Sequence, residues 1–208
     1  MKPEGISKYK LDKIASESLR NSLRLHFDAT LLFHNESYPS AFQLAIFALE
    51  EFSKAKWIDH YIWSSETNEG YPDMEFEQEW LKLLYLHPNK QWNFIARETI
   101  DYSPKFVSFI QNRGLEEKKQ NAIYVGLARS KGKVDISSRV STPWRIKKQD
   151  AAQIISLLNS EYLDICQRIE REEFYFEGGA HMDNVFDYKI FKKLLEWTHK
   201  SGLKNSGW

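Results

Sequence analysis

Apolar residues recur at helical spacing along most of the chain. Between Leu11 and Phe33, the residues Leu11, Ile14, Ala15, Leu25, Ala29 and Leu32 fall on one stripe with no internal Gly or Pro, which predicts a long first helix. His34 to Ser40 is a turn, and Pro39 or Ser40 suits the start of the next helix. From Ala41 to Leu49 only Gln43 is polar. A helix apolar almost all round must be surrounded, so this second helix is expected at the centre of a bundle. A third helical region covers 74–100, with a kink or break expected at Pro88, which lacks a backbone donor and clashes with the preceding turn. Residues 103–121 can form a fourth helix weakened at Gly114, and 122–127 reads as a short strand ahead of a basic loop ending at Thr142-Pro143. Ala151, Ile155, Leu158, Tyr162, Ile165 and Ile169 keep helical spacing through a long fifth helix over 148–174, and after Gly178-Gly179 a last amphipathic helix covers 185–199. The pattern predicts an all-α bundle with a small β-strand/loop insertion near 122–145. No repeat and no second domain boundary is visible.

Composition narrows the class further. With 42 % apolar and 14 % aromatic residues, the chain is too hydrophobic to be disordered. Its longest apolar run, Leu44 to Leu49, is six residues, where a membrane span needs about 20. Met1 to Gly5 offers no apolar signal region, so a soluble cytoplasmic protein without a membrane partner is expected. The single cysteine, Cys166, cannot pair within the chain, which suits a reducing compartment, and its place beside the apolar stripe suggests a core thiol. Lys and Arg balance Asp and Glu at 29 each, which argues against wholesale electrostatic binding of nucleic acid.

That neutrality hides an uneven distribution. From Lys118 to Lys148 there are nine basic residues and one acidic, whereas Glu161 to Asp187 holds eight acidic and two basic. Lys131, Lys133, Arg139 and Arg145 are therefore candidates for phosphate contact, the alternative being an ordinary solvated linker. Trp57, Trp63, Trp80, Trp92 and Trp144 could stack bases, although in a helical protein tryptophans more often fill the core. The six histidines show no metal-ligand spacing and no glycine-rich phosphate loop is present, so neither a metal nor another cofactor is expected.

The most informative residues are polar ones next to apolar runs. Glu50, Glu51 and Lys54 directly follow the apolar second helix, and Glu51 and Lys54 share a face with Leu44, Phe47 and Ile58. Ionised groups beside a core need partners, and a Glu-to-Lys spacing of three or four residues permits pairing. Alternatively, the helix simply emerges into solvent here. In the first helix, Asn21 and Asp28 lie within about 20° of each other on a face shared with Leu25 and Leu32. If the two helices form a hairpin, Asn21, Asp28, Glu51 and Lys54 could meet in one buried polar network.

These residues carry a resemblance. Asn21, Asp28-Ala29, Leu32, Tyr38, Ala41, Ala45, Ala48 and Glu50-Glu51-x-x-Lys54, followed by His87-x-x-Lys90 and by Ile123-Tyr124-Val125 with Pro143, resemble the AbiV-type abortive-infection proteins of the HEPN superfamily. Pro88 lies inside the H-x-x-K, and Gly126 stands where that family has an acidic residue. The resemblance implies one HEPN-like helical domain over 1–208, with 180–208 as a candidate C-terminal helical extension. It also implies dimerisation and metal-independent ribonuclease chemistry, for which the superfamily's R-x(4–6)-H signature has one match, Arg20 to His26. Residues six apart on a straight helix point about 120° away from each other, so these two could cooperate only across a dimer interface or a bend. Otherwise they are a surface Arg and a partly buried His.

The resulting expectation is an antiviral effector that cuts ribosomal or transfer RNA and halts translation, with a phage protein as candidate activator. A base or acid, His87 or His26, would move the proton of a ribose 2′-hydroxyl, and a cation, Lys54, Lys90 or Arg20, would stabilise the phosphorane-like transition state. Glu51 would orient the cation, with Asn21, Asp28 and Glu50 in support. A homodimer is expected, in which the basic 118–148 segment of one subunit meets the acidic 161–187 segment of the other. The alternative is a non-catalytic dimeric module that engages a phage or host protein.

Overall fold

The computed structural model describes residues 5–68, 70–127, 129–130, 133–178 and 180–205. Two long antiparallel helices form its frame, α1 (Lys8–His34) and α2 (Tyr38–Thr67). Ser7 opens α1 by accepting from the Lys10 amide, and Asn35 closes it through a side-chain bond to the Leu31 carbonyl. Glu36 takes the left-handed conformation at φ 59°, and Pro39 in the first turn of α2 gives up no needed donor. The hairpin predicted from the turn residues is therefore present.

Helix α2 is enclosed around most of its circumference, with the side of Glu51 and Lys54 partly open. Ala45, Ile46, Ala48, Leu49, Phe52, Ala55, Ile58 and Ile62 are all fully enclosed. Such burial contributes about 1.5–3 kcal/mol for each large aliphatic or aromatic side chain. Helix α1 packs along one flank, and three later helices cover the others: α4 (His87–Ile95), α6 (Gly114–Asn121) and α7 (Lys148–Glu170). Helix α3 (Met74–Leu83) joins α2 to α4, and α5 (Pro104–Gln111) joins α4 to α6. A single hydrophobic core extends from Leu11 to Trp197. Among the described residues there are eight α-helices and one two-stranded sheet, so the chain is all-α.

Several boundaries differ from expectation. The region 74–100 breaks at residues 84–86, ahead of Pro88, because a proline ring fits the first turn of a new helix better than the interior of an old one. The fourth predicted helix is two. Asn112 closes α5, and Arg113, at φ 58°, turns the chain into α6. Residues 122–127 do not form a strand. Ile123, Tyr124 and Val125 are exposed with no surface to pack on, and only Gly126 bridges, to Ser141. The strands of the insertion are β1 (Arg129–Ser130) and β2 (Lys133–Val134), paired antiparallel.

The last predicted helix is shorter than expected, α8 (Tyr188–Leu195), preceded by a 3-10 turn at Ala180–Val185. Asn159 of α7 holds it by donating to the Leu194 carbonyl, and the Trp197 indole donates to Ser156. The approach to α8 passes over α2, where the Gly178 amide donates to Asp59 at 2.7 Å. A Cβ at Gly178 would lie 2.3 Å from the Asp59 carbonyl oxygen, so only glycine fits there.

Candidate functional site

Where the apolar run of α2 ends, the chain places Glu50, 1 % exposed and still inside the bundle. A buried carboxylate costs several kcal/mol unless it is fully paired. Three helices supply its partners. On α4, His87, Lys90 and Gln91 stand at i, i+3 and i+4, which puts all three on the face turned to α2. On α6, Glu116 and Lys119 share a face in the same way. His87 Nδ1 lies 2.5 Å from Glu50 Oε2, while Gln91 Nε2 and Lys119 Nζ each donate to Oε1 at 2.8 Å. Lys90 Nζ approaches Oε2 at 3.5 Å.

A second carboxylate organises the outer side of the cluster. Glu51 holds Lys54 at 2.9 Å and lies 3.9 Å from Lys90, so it stands between the two ammonium groups. Glu116 closes the inner side, accepting from Gln91 at 2.8 Å and pairing with Lys119 at 2.6 Å. Burial pushes the Glu116 carboxyl up, but the hydrogen bonds from Lys119, Gln120 and Gln91 outweigh it and hold the group below its ordinary range.

His87 is the open member of this cluster, with 49 % of its side chain exposed. An ionised carboxylate only accepts hydrogen bonds, so Glu50 fixes the imidazole proton on Nδ1 and leaves Nε2 as the basic nitrogen. The arrangement is an imidazole oriented by a buried carboxylate, beside two lysines that a second carboxylate steers. It can take up a proton and place positive charge next to an anion.

The remaining candidates lie elsewhere. Asn21 and Asp28 do not reach Glu51 or Lys54. Arg24, one turn from each, donates to Asn21 Oδ1 at 2.9 Å and to Asp28 Oδ2 at 3.0 Å on the outer side of α1. Pairing there requires little desolvation, whereas carrying both groups inward would require a great deal. Arg20 pairs with Glu17 and leaves 58 % of its side chain exposed.

His26 is 1 % exposed and faces α7. Asn159 donates its amide N–H to Leu194, so its Oδ1 accepts from His26 Nε2 at 3.0 Å. Burial lowers the His26 imidazole to a pKa of about 4. Arg20 and His26 thus do not meet within the chain, and a partner copy could touch His26 only by opening the core.

In the insertion, Lys133, Arg139 and Arg145 are exposed, and Lys131 lies outside the described residues. Lys119, counted with that basic run, is instead enclosed under Glu50, and Lys118 pairs with Asp150 at 2.6 Å. Trp80 is buried, Trp57 and Trp92 pack against the core, and Trp144 is exposed. Cys166 is a core thiol pushed up to about 11 by burial.

Sequence reasoning missed Gln91, Glu116 and Lys119. Lys119 had a readable signal, because Leu115 and Ala122 flank it on one helical face and both are buried. Among the described residues, no group of three or more His, Cys, Asp or Glu is arranged to hold a metal ion, and no helix is long and apolar enough to cross a membrane.

No curated protein and no solved structure matches the chain. A family model does: the HEPN-type AbiV model matches residues 10–164, which contain the α1–α2 hairpin, the whole Glu50 cluster, the insertion and most of α7. The chain belongs to the AbiV family of HEPN-type abortive-infection proteins.

Proposed function

We propose that this protein is a metal-independent endoribonuclease whose site is the Glu50 cluster, with His87 as the proton-transfer group. One observation carries the reading: His87 is bound at Nδ1 by a buried carboxylate and half open to solvent, beside lysines held by Glu51. A ribose 2′-hydroxyl gives its proton to His87 Nε2 as its oxygen bonds to the adjacent phosphorus. The P–O5′ bond breaks, and the 5′-oxygen takes a proton from the imidazolium or from water. Lys54 and Lys90 offset the negative charge that grows on the phosphoryl oxygens. On this reading the RNA cut is ribosomal or transfer RNA, its loss halts translation, a phage protein is the activator, and the working form is a homodimer.

The test is incubation of purified protein with ribosomal and transfer RNA in a chelator, with and without infected-cell extract. The expected products carry 2′,3′-cyclic phosphate and 5′-hydroxyl ends, and His87→Ala lowers the rate by about a hundredfold or more. Strict Mg²⁺ dependence, or equal cleavage by His87→Ala, would overturn the reading.

A second reading, a non-catalytic module that engages a phage or host protein, is favoured by a different observation. Each lysine of the cluster already has a carboxylate partner in its own chain, with Lys54 on Glu51, Lys90 on both glutamates and Lys119 on Glu50 and Glu116. A structural network looks the same. Protein whose defence function survives His87→Ala would support it.

A further inference from the structure

Tyr85 stands in the three-residue link between α3 and α4, two positions before His87. The link is fixed. Its amides at Leu84, Tyr85 and Leu86 donate to the Leu81, Lys82 and Leu83 carbonyls, Leu84 is buried in the core, and Pro88 locks the start of the next helix. Yet Tyr85 is 64 % exposed. Among the described residues no aromatic ring packs on it, and its neighbour is the Lys54 ammonium, 5.9 Å from the ring centroid. A large ring held out on a rigid turn, next to a cation of the site and two residues ahead of His87, has no role in the core.

Resting on the ribonuclease reading above, we infer that Tyr85 is the nucleobase platform of the site: a base next to the scissile phosphate stacks on its free face while Lys54 meets the phosphate. A cation approaches an aromatic ring over one face, which leaves the opposite face free for a base. Lys54 is the more open of the two site lysines, with 13 % of its side chain exposed against 8 % for Lys90, and it is the one beside the ring. Glu51 pairs with Lys54 at 2.9 Å. The spacing suits a nucleotide, whose base and phosphate would then contact neighbouring groups of the protein. The chemical class follows from the ring. Every base has a π-face, so Tyr85 tolerates any sequence, and it requires an unstacked base, so the ligand is single-stranded RNA rather than duplex. Leu83 and Leu86 are also exposed beside Tyr85, but the Lys54 ammonium over the ring favours an anionic ligand over an apolar protein face.

The experiment measures binding and cleavage separately. Binding of a fluorescein-labelled single-stranded oligoribonucleotide is followed by anisotropy in chelator, and cleavage of the same oligonucleotide gives kcat and KM. For Tyr85→Ala the Kd and KM should rise about tenfold with kcat nearly unchanged, Tyr85→Phe and Tyr85→Trp should stay near wild type, and the weak binding of duplex should not respond. The exposed position predicts an unchanged melting temperature for all three variants.

Unaltered KM and Kd in Tyr85→Ala, or a Tyr85→Phe variant as weak as Tyr85→Ala, would overturn the platform while leaving the ribonuclease reading intact. Tyr85-dependent binding without cleavage would uphold the platform and sink the ribonuclease reading. A wild-type protein that neither binds nor cleaves RNA would remove both, whereas a Tyr85→Ala variant that loses a protein partner and not RNA would remove the platform alone.

Discussion

Two histidines of this chain each sit against a polar partner, and their surroundings make them different chemical objects. His26 is sealed between α1 and α7, bonded to a neutral amide, edge-on to Tyr162, with its Nδ1 buried and unpartnered. His87 lies at the rim of α4, bonded to a carboxylate, with half of its side chain in solvent. The first belongs to a short-range motif with an arginine and the second to a motif interrupted by proline, yet only the second keeps a basic nitrogen within reach of a ligand. Spacing along a helix does not decide whether a histidine can work. The dielectric around it and the charge of its partner do.

Removing the carboxylate behind His87 should break the comparison most severely. Glu50→Ala leaves Lys119 without one of its two carboxylate partners and Lys90 with only the more distant Glu51. We expect a loss of about 3–5 kcal/mol, read by urea denaturation. A loss below 1 kcal/mol would mean the cluster is not buried as described.

The His26 side sharpens the contrast through pH. Its folded-state pKa is depressed below the ordinary imidazole value, so its contribution is fully present above pH 6.5 and is lost as the pH falls towards 4. The full loss is about 3 kcal/mol. Asp183 opposes it. Burial raises that carboxyl to about 6, so its contribution is present below its ordinary value of 3.8 and is lost as the pH rises through 6. Denaturation at pH 7, 6, 5 and 4 in Asp183→Asn should expose the His26 slope, and adding His26→Phe should flatten it. An unchanged slope in the double variant would refute the assignment to His26.

The smallest effect is expected at Arg20. Its pair with Glu17 is exposed on both sides, and such pairs contribute at most about 1 kcal/mol. Arg20→Ala should change neither stability nor any RNA cleavage. A large fall in cleavage would return the site to α1.

How far these regions were legible depends on which polar groups the pattern had to interpret. The α1–α2 hairpin, the central place of α2 and the helical course of α7 follow from apolar spacing, because long stripes leave few alternatives. Glu50, Glu51 and Lys54 stood out because they directly follow an apolar run. The inward face of α1 was misjudged for a physical reason. Ser16, Ser18 and Ser22 are buried there, and Ser22 satisfies its hydroxyl on the Ala48 carbonyl and on Tyr162 at 2.5 Å. Small hydroxyls count as polar in a pattern and as core in a fold, so the buried stripe seemed to extend towards Asn21 and Asp28.

The ligands of Glu50 were hard to read for another reason. Lys119 comes from a charge-rich segment, and it meets Glu50 across 69 positions of chain. Periodicity reports only which way a residue faces. The meeting of α2, α4 and α6 is set by how the links at 84–86 and 112–113 turn.

The burial of the middle of α2 also shapes how the molecule opens. A helix covered by several neighbours exchanges its amide protons only when those neighbours leave, so the stretch of α2 around Glu50 is expected in the slowest-exchanging unit, whose release is the global unfolding event. Helix α4 is nine residues long and sits on one flank, anchored chiefly by Phe94 and Ile95. Its amides are expected to exchange through a smaller, faster opening that carries His87 and Lys90 away while the carboxylates stay in place. On that expectation the two halves of the cluster keep different clocks, and the intact site persists only as long as its less stable half stays closed.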